Sequence, residues 1–573
     1  MIHYKAPLQN IHSLLFNTFG LDKQWASWGD ELPDRDLAES ILEEAAKICQ
    51  NLLLPLNQSG DAQGCQFDNG TVTTPDGFSE AFRTYAASGW CGLGGNPEYG
   101  GQNLPKSLTL MVDEMLYAAN SSFALYSVLS SGASLLIDCH ASDSLKQQYL
   151  PALYEGRWTG TMCLTEAQAG SDLGAITTRA EPMDDEQYKI SGNKIFITGG
   201  EHDLSDNIIH LVLARLPGAP AGSKGISLFL VPKFILDNDG NPDQRNGVQC
   251  IGIESKMGIK ASATCQLQFD DAIGYLVGTP GRGLNHMFTM MNEERLSIAT
   301  QGLGIAETGY QSSLAYAQER VQSQVAPGSA SNTIIEHPDV QRMLNTQQAL
   351  NGAGRALAAY IGHQVDIGRF SADETEKQNA DKMVALLTPV AKSFLTDNGF
   401  DGAVLAQQIF GGHGYIRETG VEQLVRDARI AQIYEGTNGI QALDLISRKI
   451  LADKLAGYET LHQEMDEYIQ SKENIPELSI LATGARQALT ELDNTTRWIA
   501  EQSATNPTLA GAVASEYLEL FGLTVYSYFW LRLADSCDDG DKKQTMKSAE
   551  FFVKHLLPHG QAFAQSIKAI AQT

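Results

Sequence analysis

Glu435 is the acid with the most unusual neighbours in this chain. It lies in Ala431 to Leu445 (AQIYEGTNGIQALDL), with Tyr434 before it and Gly436 and Thr437 after it. The carboxylate therefore sits where an apolar run stops and the backbone is free to bend sharply. Two readings fit. In the first, Thr437 or Asn438 is the N-cap of a helix and Glu435 is an exposed loop acid. In the second, Glu435 is a general base held in a drier site, its pKa raised by desolvation so that it takes a proton near neutral pH. The stretch alone leaves both open.

Other stretches carry residues suited to holding a flat, hydrogen-bonding ligand. Cys163 to Arg179 (CLTEAQAGSDLGAITTR) contains Thr165, and its Ala169-Gly170-Ser171-Asp172 core leaves the backbone accessible. Hydroxyls and amides there can donate to a flavin ring or a phosphate, although a turn capped by Asp or Ser has the same composition. In Ile195 to Gly200 (IFITGG), Phe196 and Thr198 are two residues apart and so share one side of a strand. An aromatic and a hydroxyl side by side suit the edge of a flat ring, and ordinary strand packing explains them as well. Gln408 precedes Ile409 to Ile416 (IFGGHGYI), where Gly411, Gly412 and Gly414 permit close backbone approach.

Several elements must position these residues. At 573 residues the chain exceeds a single core and predicts three to four units. Residues 1–157 read as helical, with apolar spacing of three and four in Leu37 to Leu54 and again in Pro105 to Ala133. Within the latter, Ser122 to Ser131 is either buried all round or lines a cavity. Residues 158–277 alternate with a period of two and are punctuated by Gly, Asn, Asp and Pro, which predicts an antiparallel, barrel-like β domain with a hairpin connection at Ser191 to Lys194. Residues 278–450 predict a helical bundle: Leu284 to Ser312, His337 to Ile367, Thr375 to Asp397 and Gly402 to Phe410, with one loop-like insertion, Val325 to Thr333. Residues 451–573 predict a further helical extension, in which Ala514 to Asp535 packs on the body rather than on a membrane, since Glu516, Glu519 and Arg532 interrupt it. The fold class is α+β.

Composition narrows the function. With 41 Lys+Arg against 68 Asp+Glu, the net charge of −27 disfavours nonspecific attraction to nucleic acid or to anionic membranes. The eight cysteines form no CxxC or other close metal-ligand pair and read as reduced thiols, so no metal site is expected. The N-terminus does not read as a signal peptide, and no stretch reads as the ~20 apolar residues of a spanning helix. A cytoplasmic location is expected.

Taken in order, CLTEAQAGSD, IFITGG, QIFGGHGY and RDARIAQIYEGTNGIQ resemble the signatures of the acyl-CoA dehydrogenase family, and the resemblance covers residues 35–450. Members of that family bind FAD and desaturate an acyl-CoA between Cα and Cβ, and the glutamate of their YEGT motif is the base. The resemblance implies that Glu435 takes the α-proton while the Cβ hydride leaves to the flavin. Removing a weakly acidic α-proton needs a poised carboxylate and donors aimed at the thioester carbonyl; in the family these are a flavin ribityl hydroxyl and the N–H of the base. It further implies cofactor contacts from Thr165, Ser171, Phe196, Thr198, Arg320, Gln408, Gly412, Thr437 and Asn438, and substrate contacts from Ser171, Arg295 and Gly436. Glu294 falls at or beside the position from which some branches supply the base, and otherwise reads as a supporting residue or a surface ion pair.

The extension beyond residue 451 and the N-terminal YKAPLQNI resemble the longer bacterial branch of the family, which includes enzymes for 3-methylmercaptopropionyl-CoA. Expected partners are an acyl-CoA, an electron-transfer flavoprotein as acceptor, and a second copy of the chain as a homodimer or a dimer of dimers, in fatty acid β-oxidation. Two other readings stay in view. One is an oxidase passing electrons to dioxygen; the other is a nucleic-acid-associated alkylation-response flavoprotein, which predicts a basic C-terminal region that this chain does not carry. Acyl length is not legible, and Tyr126 to Leu129 are the expected tunnel gates.

Overall fold

A computed structural model describes residues 2–184, 187–325 and 332–570. The tip of the expected insertion, 326–331, lies outside the described residues. On its flanks Val321 and Thr333 pair as an antiparallel bridge. The chain divides into two compact units: Met1–Lys47, Pro105–Ala118 and Arg295–Thr573 form one, and Ile48–Leu104 with Ala119–Glu294 forms the other.

Helix α1, Lys106–His140, contributes to both units and departs from helical geometry at Asn120 (φ −159°, ψ 91°). That residue acts as an internal cap. Its Oδ1 accepts from Phe123 N–H (3.1 Å) and its Nδ2 donates to Leu53 O (3.2 Å), so the bend leaves no local donor wanting. Ser122 to Ser130 are buried throughout. By length and composition alone, α1 is long and apolar enough to cross a membrane. However, 78% of that apolar window is buried inside the protein, as in a core helix.

The second unit is built on a seven-stranded sheet: β1 (Trp158–Cys163), β2 (Arg179–Pro182), β3 (Gln187–Thr198), β4 (Asn207–Arg215), β5 (Ile226–Pro232), β6 (Val248–Ile253) and β7 (Thr264–Val277). Strand β7 pairs with β3, β3 with β2, β2 with β4, β4 with β5, and β5 with β7, so the ladder closes on itself as a small barrel. It is not wholly antiparallel. β1 runs parallel to β4, and β2 touches β4 in parallel at Arg179 and Arg215. β4 is apolar on both faces because Val212 and Ala214 join one core cluster while Ile209, Leu211 and Leu213 join another, with Leu129 to Ile137 of α1.

No hairpin forms at Ser191 to Lys194. β3 runs straight through these residues, with Gly192 opposite Phe269 and Asn193 opposite Gln268. Glycine is needed there because Thr178 crosses over it, within 2.9 Å of where a Cβ would sit. The same strand carries a bulge: Ile197 opposes Cys265 but Lys194 opposes Leu267, so β3 holds one residue more than its partner. Phe196 sits in that bulge at φ +59°.

The loop after β1 is organised from below by Glu166, a buried acid. It accepts from Thr177 N–H and Oγ1 (both 2.7 Å), from Thr178 N–H (3.0 Å) and Oγ1 (2.6 Å), and from the fully buried Lys194 Nζ (2.8 Å). Burial opposes its ionisation, but Lys194 and these donors outweigh that and hold the carboxyl down to about 2.

The first unit is helical: α2 (Gly283–Glu319, from Arg295 onward), α3 (Pro338–Phe370), α4 (Glu374–Phe410), α5 (Val421–Arg429) and α6 (Asn438–Asp444). The extension follows as α7 (Ala456–Lys472), α8 (Ser479–Ser503), α9 (Leu509–Ser536), α10 (Asp539–Phe551) and α11 (His559–Ile570). Sequence reading breaks α4 at Asn398 to Asp401, yet the helix is continuous. Gly399 lies where α4 crosses α2, and a Cβ there would come within 2.5 Å of Gly302 O. The two backbones touch, so this glycine serves packing rather than termination. α9 is buried along most of its length and packs on α3, α4 and α6. Its Trp530 Nε1 donates to Ala349 O (3.0 Å).

Two outcomes follow from these contacts. Lys194→Met strands the Glu166 carboxylate and is expected to cost about 3–5 kcal/mol in chemical denaturation of the β unit. In the wild type, the Glu166 contribution is present above its ordinary value of 4.5 and is lost as pH falls toward about 2. Gly399→Ala is expected to destabilise the helical unit by about 1–3 kcal/mol, read in the same way.

Candidate active site

The turn before α6 holds its residues in an uncommon conformation. Glu435 has φ +55° and Gly436 has φ +86°, so two successive residues occupy the left-handed region, which for a glutamate costs of the order of 1 kcal/mol. A Cβ on Gly436 would also sit 2.5 Å from Gln441 Nε2. Something must hold such a turn, and the half-buried Arg295 with the buried Gln441 and Lys392 does. Arg295 Nε and Gln441 Nε2 both donate to Glu435 O (3.2 Å each), and Lys392 Nζ donates to Gly436 O (2.8 Å). Both carbonyls are thereby drawn inward, while Glu435 N–H has no acceptor among the described residues.

The helix start that follows is equally fixed. Thr437 is the N-cap, and its Oγ1 accepts from Ile440 N–H (3.3 Å). Asn438 Oδ1 accepts from Lys392 Nζ (2.8 Å), and its Nδ2 donates to Thr396 Oγ1 (3.0 Å) and Asp397 Oδ1 (2.8 Å). Gln432 Nε2 also reaches Asp397 Oδ1 (2.6 Å). Tyr434, beside the glutamate, donates its hydroxyl to Gln301 Oε1 on α2. The cap and chemical readings of this stretch are thus compatible. Thr437 caps, and Glu435 is half-buried rather than a free loop acid.

Electrostatics favour a proton acceptor. Burial pushes the Glu435 carboxyl up to about 7, opposed by the positive charges of Arg295 and Lys392. Burial likewise pushes Lys392 down to about 7, opposed by Glu435 and Asp397. A carboxyl that titrates near neutrality, on a rigid turn, can take a proton from a weak carbon acid.

The sequence candidates fall into groups. Glu435, Gly436, Thr437, Asn438 and Arg295 meet at this turn. Arg320 and Gln408 with Gly412 lie at the C-terminal ends of α2 and α4, which are joined by Tyr316 stacking on Phe410 (4.2 Å) and bonding His413 Nδ1 (2.7 Å). In the β unit, Ile195 N–H donates to Thr165 O (2.9 Å), placing Thr165 beside the strand that carries Phe196 and Thr198. Phe196 is 59% exposed, Thr165 and Thr198 are half-buried, and Ser171 is exposed.

Two expectations change. Glu294 is fully buried in the β-containing unit, packed on Gly132 with no room for a Cβ between them, so it is not part of a surface ion pair. The Tyr126 ring is pinned rather than poised to gate: its hydroxyl donates to Ala261 O (3.2 Å) and accepts from Ala263 N–H (2.8 Å). Sequence reading passed over Lys392, Thr396, Asp397 and Gln441. The available signal was the run of polar residues Lys392, Ser393, Thr396 and Asp397 on one face of the helix, after the apolar stretch Met383 to Ala391.

Comparison with known proteins bears on all of this. Models of the acyl-CoA dehydrogenase N-terminal, middle and C-terminal domains match residues 36–157, 161–272 and 281–451, and a model described as acetyl-CoA dehydrogenase C-terminal like matches 461–573. The 3-methylmercaptopropionyl-CoA dehydrogenase of Ruegeria pomeroyi is 46% identical over 73% of this chain and 71% of its own. The broad-specificity linear acyl-CoA dehydrogenase FadE5 of Mycobacterium tuberculosis is 32% identical over 97% of this chain and 96% of its own. The structure of an acyl-CoA dehydrogenase complexed with FAD from Bacillus anthracis shares the fold, with a TM-score of 0.77 at 21% identity, covering 94% of this chain and 88% of that one. By its matched domains and its relatives, the chain belongs to the acyl-CoA dehydrogenase family.

Proposed function

We propose that this enzyme, an FAD-dependent acyl-CoA dehydrogenase, uses Glu435 to remove the α-proton of its acyl-CoA substrate. One observation carries the assignment. The carboxyl is fixed on a turn whose carbonyls are held inward by Arg295, Gln441 and Lys392, and it titrates at about 7. At neutral pH about half of it is ionised and able to accept a proton, yet it is a far stronger base than an ordinary carboxylate.

The same turn supplies the second requirement. As the α-proton leaves, negative charge develops on the thioester oxygen and needs donors already in place. The Glu435 N–H, which has no acceptor among the described residues, is available to serve as one such donor. Arg295, half-buried at the same turn, holds Glu435 O and so fixes the plane of that peptide, Gly436 N–H included.

The residues present fit FAD. Phe196 offers an exposed ring at a strained φ of +59°, next to the hydroxyl-bearing Thr165 and Thr198, and Gly170, Gly411 and Gly412 have nothing within 4 Å of an added Cβ. Thr165, Ser171, Phe196 and Thr198 would hold the flavin. Arg320, Gln408 and Gly412 would serve its other groups, with Thr437 and Asn438 at the helix start. Asn438 spends its carboxamide within the turn, so its contribution is to the shape of that start. When bound, FAD supplies the acceptor for the hydride from Cβ.

Relatives named as dehydrogenases match most of the chain, which supports this reading over an oxidase. We further infer that residues 1–157, 158–277, 278–450 and 451–573 act as four domains, a division supported by the extents of the matched models. An electron-transfer flavoprotein as acceptor, a homodimer or dimer of dimers and a place in β-oxidation rest on the family resemblance, and a cytoplasmic location on the cysteine pattern and the N-terminal sequence. The substrate range includes linear acyl-CoAs and 3-methylthiopropionyl-CoA, as the relatives' names suggest.

Anaerobic mixing of the flavoprotein with acyl-CoAs of graded length, 3-methylthiopropionyl-CoA among them, is expected to bleach the flavin. No bleaching with any thioester would sink the proposal. Glu435→Gln is expected to keep the flavin and slow reduction about 10²–10⁴-fold; full activity would move the base elsewhere. In the wild type the reduction rate should rise as pH passes through about 7 and then level, because only the ionised carboxylate accepts the proton.

A further inference from the structure

A buried ammonium beneath the turn calls for an explanation that hydrogen bonding alone does not provide. Lys392 is fully buried on α4 and donates 2.8 Å bonds to Gly436 O and to Asn438 Oδ1. A neutral donor could make either bond, whereas an ammonium out of water carries a desolvation cost of several kcal/mol unless a counter-charge faces it. The ionisable groups around it come from three elements. The charge of Glu435 acts on it from the turn, that of Asp397 from its own helix, and that of Arg295, of like sign, from α2. Asp397 is itself held by Gln432 and Asn438. Beyond this group, Glu519 of the extension helix α9 faces Asp397 and Asp401 and is pushed up to about 7 by burial and by those two acids.

Resting on the reading of Glu435 as the base, we propose that Lys392 is a positioning residue for it. The buried ammonium fixes the Gly436 and Asn438 ends of the turn and supplies the cation that keeps Glu435 ionised before substrate arrives. Arg295 shares the electrostatic part but holds a different atom, Glu435 O, so the two cations clamp successive carbonyls of one turn. The arrangement also bears on the reaction. Once Glu435 carries the substrate's proton, Lys392 keeps Asp397 as its remaining counter-charge. Each of the two groups is among the causes of the other's shift, the cation favouring the ionised carboxylate and the carboxylate favouring the ammonium.

The test compares Lys392→Met, Lys392→Gln and Lys392→Arg in the flavin-loaded enzyme. Two readouts are followed against pH: the rate of flavin reduction by an acyl-CoA that bleaches the wild type, and protonation of the Glu435 carboxyl. The second is read as the infrared difference between each protein and its Glu435→Gln counterpart, without substrate. Loss of the cation is expected to move the acid limb of the rate profile and the carboxyl titration up together, by about one pH unit or more, in Lys392→Met and Lys392→Gln. Lys392→Arg should move both back toward the wild-type values. If Lys392→Met fails to fold or to hold flavin, Lys392→Gln, which keeps a donor for Gly436 O, carries the same comparison. Profiles and titrations that superimpose on the wild type would overturn the inference while leaving the base assignment intact. A wild type that no acyl-CoA bleaches would overturn the base assignment, with the infrared titration still reporting whether the pair is coupled.

Discussion

A charge taken out of water must be answered by another charge or by hydrogen bonds, and the centre of this protein is arranged around that constraint. Glu435 cannot act as a base unless it is dry enough to hold its proton tightly, and it cannot rest there ionised without compensation. Arg295 and Lys392 provide that compensation from two helices. They do it through the backbone of the glutamate's own turn, so the groups that answer the charge also hold its conformation. Stability and chemistry depend here on the same three side chains.

The β unit meets the same constraint in a different way. Glu166 gathers two threonine hydroxyls, two amides and the buried Lys194, and the result is a carboxyl that stays ionised down to about 2. Glu435 has cations nearby but no comparable set of donors, and burial takes it to about 7 instead. Two glutamates removed from bulk water, each near a lysine, end about five pH units apart. A lysine in direct contact, together with the hydrogen bonds reaching the carboxyl, separates a structural acid from one able to exchange a proton.

Much of this was legible in the chain. The change of hydrophobic period at the start and end of the β domain, and the glycine after Glu435, point to the architecture and to the turn because both are local signals. What escaped was long-range. Gly192 and Asn193 look like a hairpin, and only the crossing of Thr178 above them shows why a strand needs glycine there. Asn398 to Asp401 look like the end of a helix because a glycine that lets two helices touch has the same composition as one that ends a helix. Lys392 looks like any polar residue on a helix, since its partners Gly436 and Asn438 lie in a later segment.

The helix crossing at Gly302 and Gly399 acts on the site from a distance. Arg295 precedes Gly302 by seven residues on α2, and Lys392 precedes Gly399 by seven on α4, so each cation sits two turns, about 10 Å, up its own helix from the point where the backbones meet. The two helices behave as the arms of a caliper whose pivot is closed by the absence of two methyl groups. The gap between its tips is the gap that the glutamate's turn must fill. The reach of both cations to successive carbonyls is therefore set at a place that touches neither substrate nor base.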